Sequence, residues 1–167
     1  MKHKRLRWKP EAEVAENARA VLPEMAVDYF RTGRKTSKKK TTAEKLHEFR
    51  LRTKHFRYLL EFFAPLYGDQ LTKPMESLRR IQTLLGELND YAVTRRMLQD
   101  EPEAVRLMEH LDELEGKRRA EFRAYWREQF DGEGEEAKWL LLLDQARMPR
   151  TTSPATSVRR KSRPLQR

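Results

Sequence analysis

The sequence predicts an all-α fold: a four-helix bundle of long antiparallel helices, with a short extra helix near the C-terminus. Three observations predict it. Apolar residues recur every three or four positions through four long stretches, the period of a helix that buries one face. The good helix formers Leu, Glu, Lys, Arg and Ala are abundant, while strand-like alternation is scarce. Only six glycines interrupt 167 residues, and 38% apolar with 37% charged residues suits long amphipathic helices around a modest core. That length fits one domain with tails.

Helix 1 is expected over 10–32. Pro10, Glu11 and Glu13 suit a first turn, and Val14, Ala18, Val21, Leu22, Met25 and Tyr29 form the stripe to be buried. Pro23 should kink or split this helix, and Gly33 should stop it. Residues 34–41, RKTSKKKT, read as a flexible basic loop, after which Thr41 or Thr42 caps helix 2 and Glu44 lies in its first turn. Helix 2 runs from Lys45 to about Ala64, where Pro65 ends it, and Tyr67, Gly68 and Asp69 make the turn. Helix 3 is expected from Thr72 to Gln99 on Met75, Leu78, Leu85, Leu88 and Ala92, with Gln82 interrupting the stripe. Helix 4 follows from Pro102 to Phe130 on Val105, Met108, Leu111, Leu114, Phe122 and Tyr125 or Trp126. After the break at 131–134, a short helix from Glu135 to Ala146 carries Trp139 and four leucines, and packs across the bundle or onto a partner. From Met148 onward Pro, Ser, Thr and Arg dominate, the composition of a disordered tail. The expected organisation is a basic arm over 1–9, a helical bundle over 10–147 and a basic tail over 148–167.

Charge is unevenly placed. Of 36 Lys and Arg residues, 17 lie in 1–9, 31–40 and 148–167, which hold no acid; the rest of the chain carries 19 against 26 acidic residues. The net charge of +10 therefore sits in arms and a loop around a mildly acidic body. Such arms attract nucleic acid, polyphosphate or anionic lipid without choosing among them. The absence of cysteine excludes disulfides and thiolate metal sites. No apolar run approaches a membrane span, and no apolar core follows the basic start, so the expectation is a cytoplasmic protein without membrane insertion.

Helix 2 does two jobs. Leu46, Phe49, Phe56, Leu60 and Phe63 make an apolar stripe, and His47, Arg50, Lys54 and Arg57 follow the same rhythm one residue later. At 100° per residue those four fall within an arc of about 80°, a cation per turn along about 15 Å of one face. No acid interrupts the row before Glu61. A ladder of this kind suits a linear polyanion.

Residues 78–98 form the second informative stretch. Gly86 inside a helix costs about 1 kcal/mol relative to alanine, a cost offset where a neighbouring helix or a bound chain comes close. Asp90 lies four residues beyond Gly86 and eight beyond Gln82, placed to orient His47 or an arginine of helix 2. From these residues alone, the plainer reading is that Asn89 and Asp90 face water.

His47-x-x-Arg50-x-x-x-Lys54-x-x-Arg57-Tyr58-x-x-Glu61, followed by Gln82-x-x-Leu85-Gly86-x-x-Asn89-Asp90, resembles the CHAD domain, the conserved-histidine α-helical domain. The motifs cover 45–98, and the correspondence is expected to reach about 130. The resemblance implies an all-helical polyphosphate-binding module whose basic side chains line a groove or pore. His47, Arg50, Lys54 and Arg57 then become the anion-contacting set, joined by Lys45, Arg79, Arg80 and Arg96. Tyr58, Glu61, Gln82, Gly86, Asn89 and Asp90 support them. Family members usually carry two similar four-helix repeats, and some carry an attached triphosphate-tunnel domain; this chain holds one copy of the motif and no such domain. A homodimer that rebuilds the two-repeat form and covers the Trp139 run is therefore expected. Location in the cytoplasm extends by the same resemblance to polyphosphate granules.

Phosphate chains lack bases, so their site needs cations and few stacking aromatics. Arg grips phosphate oxygens bidentately, Lys acts as a mobile point charge, and His gains a second donor as pH falls. No catalytic residue, cofactor or metal site is expected: the chain has no Gly-rich phosphate loop and no His-x-x-x-His spacing, and His3, His55 and His110 are isolated. A phosphoryl-accepting His47, or a divalent ion held by His47, Asp90 and Glu61, is the minor alternative. Two other classes compete with polyphosphate binding. One is an RNA-, DNA- or ribosome-associated protein acting through its basic arms, with Trp8 as the tail aromatic for stacking. The other is a helical scaffold that binds a protein through Trp139–Leu143.

Overall fold

The computed structural model describes residues 8–147. The expected tail over 148–167, and the expected arm apart from Trp8 and Lys9, lie outside the described residues. Among the described residues five α-helices form: α1 Val14–Thr36, α2 Ala43–Phe63, α3 Thr72–Leu98, α4 Val105–Gln129 and α5 Glu135–Leu143. Short 3-10 turns at Ala64–Leu66, Gly68–Leu71 and Pro102–Ala104 join them. No strand occurs among the described residues, so the fold is all-α. α2 packs between α1 and α3, α4 lies on α3, and α5 lies on α1.

The core is aromatic. Tyr29 of α1 stacks on Phe49 of α2 with ring centroids 5.0 Å apart, and Trp126 stacks on Phe130 at 4.7 Å. Phe56 and Phe122 complete this layer, all of it excluded from water. Every residue of the expected α2 stripe is buried, and buried Thr53 fills its gap by donating to the carbonyl of Phe49 at 2.9 Å.

α1 departs from expectation at both ends. It begins at Val14 rather than Pro10 because buried Asn17 draws the preceding segment into hydrogen bonds of its own. The Lys9 amide donates to Asn17 Oδ1 at 2.8 Å, and Asn17 Nδ2 donates to the Lys9 carbonyl at 2.8 Å. Val14 is exposed instead of buried. The helix also passes through Gly33 to Thr36. Gly33 is no stop but a close approach: a Cβ there would lie 1.9 Å from Cη2 of Trp126, so only glycine lets the indole lie against α1. Pro23 does not split the helix either. Val21, Leu22 and Ala26 are buried on both sides of it and hold both halves on one core.

α3 matches its expected span, and its stripe is completed by Ile81 and Leu84 rather than by half-buried Ala92. The first half of α4 is shallower than expected: Val105 is 61% exposed, and Met108 and Leu114 are only half-buried. The apolar run of α5 is covered within the chain. Trp139 lies among Phe30, Phe56 and Phe130, and Leu143 is buried. Tyr67 donates its hydroxyl to the Leu143 carbonyl at 2.7 Å, and burial pushes that hydroxyl up to about 12, so it stays a donor at neutral pH. Of the run, Leu141 stays exposed, while Trp139 and Leu143 need no partner to cover them.

Candidate functional site

Thr42 rather than Thr41 caps α2, its hydroxyl accepting from the Lys45 amide at 3.4 Å. Glu44 beside it is held below the ordinary carboxylate range by its own backbone N–H, the Thr42 hydroxyl and the charge of Arg96 on α3. α2 and α3 run antiparallel, because contacts that climb one helix descend the other. His47 meets Asn89, Arg50 meets Gly86, and Arg57 meets Gln82.

These contacts make a groove. His47 Nδ1 lies 2.6 Å from Asn89 Oδ1, so with the amide oxygen accepting, Nδ1 carries the proton and Nε2 is left for a ligand. Arg57 Nε donates to Gln82 Oε1 at 2.9 Å, and its Nη1 pairs with Glu61. Arg79 reaches the same Glu61 carboxylate at 3.6 Å. Tyr58 lies beside the row, with Arg57 Cζ 4.5 Å and Lys54 Nζ 5.8 Å from its ring centre. Arg50 is half-buried, and its Nε, out of reach of water, has no hydrogen-bond partner among the described residues. A Cβ at Gly86 would meet that Nε at 3.9 Å, an ordinary contact, so Gly86 gives Arg50 room without being sterically required.

Neutral amides do the orienting here. An amide oxygen fixes the direction of an N–H while leaving the cation's charge intact, whereas a carboxylate cancels it. Glu61 is the exception, at the Arg57 end.

The structure separates some sequence candidates from this row. Arg79 and Arg96 extend the groove face of α3 at its two ends. Arg80 points away from it and pairs with Glu121 of α4. Lys45 lines the opposite side of α2, near the end of α1. Asp90 is exposed, and the partner of His47 is Asn89 instead. A seven-residue step from Gln82 to Asn89 keeps one helical face, while the eight-residue step to Asp90 drifts off it by about 80°. Glu61 and Asp90 do not converge on His47, and no metal-sized cluster of such groups occurs among the described residues.

A family model for the CHAD domain matches residues 2–99, more than half of the chain and every residue of the groove. The chain belongs to the CHAD domain family. That family is one of polyphosphate-type anion binders, which accords with a row of cations along the α2–α3 face. The CHAD match ends at 99 rather than near 130, so α4 and α5 lie beyond it. Comparison with curated proteins and comparison with solved structures each found no match. No helix of the described residues is long and apolar enough to cross a membrane.

Proposed function

We propose that the protein is a cytoplasmic polyphosphate-binding module, not an enzyme, and that it holds the anion in the α2–α3 groove. His47, Arg50, Lys54 and Arg57 are the contacts, with Arg79 and Arg96 at the two ends. The observation that carries this reading is a row of four basic side chains along one face of α2, two of them held by the neutral amides of Asn89 and Gln82 on α3. Gln82 and Asn89 position Arg57 and His47, and Glu61 occupies Arg57 and Arg79 until phosphate displaces it.

Because the contacts are ionic, affinity falls steeply with salt. The test is competition between long-chain polyphosphate and single- or double-stranded RNA and DNA at near-physiological salt. Polyphosphate should win, and Arg50→Ala with Arg57→Ala should abolish its advantage. If RNA wins and the double variant binds as before, the protein is a nucleic-acid binder acting through other cations.

A further inference from the structure

A second cationic feature lies outside the groove. Between the end of α1 and the first turns of α2 is a cavity of about 360 Å³, within the roughly 300–1,000 Å³ of small-ligand sites. Lys35, Lys38, Lys40 and Lys45 line it, with Glu48 as the one acid. Lys45 and His47 are two positions apart, which puts them about 160° apart around α2. The cavity therefore opens on the side of the helix away from the groove.

Two observations set this cluster apart. The first is convergence: unpaired lysines occur elsewhere on the bundle, as at Lys73 and Lys117, but here four line one cavity with a single acid. Most arginines of the bundle are matched by acids: Arg34, in the same turn as Lys35, takes both Asp131 and Glu136. None of the four cavity ammoniums is paired among the described residues. The C-terminus of α1 contributes about half a negative charge and Glu48 one, so an excess of more than two positive charges remains. The second is that the loop holding them is built. Thr41 donates its hydroxyl to the Lys38 carbonyl at 2.9 Å, and Arg119 of α4 donates to the Thr41 carbonyl at 2.7 Å. Thr36 likewise donates to the Thr32 carbonyl at 2.9 Å. With Thr36 and Thr41 committed to the backbone, the side-chain donors open to a ligand are the ammoniums and the Thr32 hydroxyl.

We infer that this cavity is a second anion site, for a short, multiply charged phosphate of pyrophosphate or triphosphate size. Ammoniums act as point charges without the planar fork of arginine, so they select charge density rather than carboxylate shape. The site does not depend on the groove: a short phosphate occupies either, and a long chain has two separate places to hold on the same molecule.

The experiment is an amide-resolved NMR titration of the full chain with tripolyphosphate at near-physiological salt. Two separate sets of shifts are expected, one over residues 35–45 and one over 47–57 with 82–89. Lys38→Gln, Lys40→Gln and Lys45→Gln together should weaken the first set by about tenfold or more and leave the second within about twofold. Arg50→Gln with Arg57→Gln should do the reverse. Lys73→Gln with Lys117→Gln, which removes charge elsewhere, should change neither. Shifts confined to the groove, or equal weakening of the first set by the Lys73 and Lys117 changes, would overturn the second site. Shifts confined to 35–45 would instead overturn the groove reading and leave this one standing.

Discussion

α3 meets α2 on one side and α4 on the other, and its two faces handle charge in opposite ways. Toward α4, arginines are neutralised. Arg80 pairs with Glu121, Arg118 with Glu87 and Glu121, and Arg95 with Asp112 and Glu115. Burial opposes the charge of Arg118, yet Glu87 and Glu121 more than offset it and hold that guanidinium above its ordinary range. Toward α2, the same helix presents Gln82, Gly86 and Asn89, which direct cations without cancelling them. The difference separates a seam from a site. Carboxylate partners fasten α4, whose first half buries little apolar surface, and amide partners keep the α2 row charged.

The contrast can be broken by removing equal charge from each face. Arg50→Gln with Arg57→Gln should lower polyphosphate affinity about 100-fold or more, each lost charge-assisted bond being worth about 1.5–3 kcal/mol. Arg80→Gln with Arg118→Gln, at the same net charge, should change affinity less than about threefold, because those guanidiniums are engaged by Glu87 and Glu121 and face α4. Calorimetric titration at fixed ionic strength compares the two. Turning the groove into a seam should cost less: Gln82→Glu with Asn89→Asp places carboxylates on Arg57 and His47 and should weaken binding about tenfold. The same titration checks it, and tighter or unchanged binding would show that the amides do not matter.

Glu61 sharpens the comparison from the other direction. It is the carboxylate that pairs with Arg57 and Arg79, so Glu61→Gln should tighten binding by roughly two- to fivefold by releasing both. Gly86→Ala carries the smallest effect on binding. The new methyl meets Arg50 Nε at ordinary distance, so affinity should move less than about twofold while urea stability rises by up to about 1 kcal/mol. A collapse of binding in this variant would mean that the anion itself needs the space at Gly86.

The fold was largely legible because its signals are local. The stripe of α2 is buried residue for residue, and α3 ends within one residue of expectation. The misses are tertiary. Gly33 carries the sequence signature of a helix end, and only the indole of Trp126, far along the chain, explains why the helix continues through it. Asn17 delays the start of α1 through hydrogen bonds to Lys9, a residue outside the helix. The cation row was legible as a row, since periodicity alone aligns His47, Arg50, Lys54 and Arg57. Its partners were not: choosing Asn89 over Asp90 needs the register between α2 and α3, and the sequence of one helix does not contain it. Arg80 and Lys45 were grouped with the row by charge, and their faces separate them from it.

The most direct test of the groove is a crystal structure of the chain with tripolyphosphate. Phosphoryl oxygens within hydrogen-bonding distance of Arg50 and Arg57, with the Glu61 carboxylate displaced from Arg57, are the predicted result. A structure with phosphate bound elsewhere, Arg57 still on Glu61 and nothing at the Arg50 guanidinium, would contradict it.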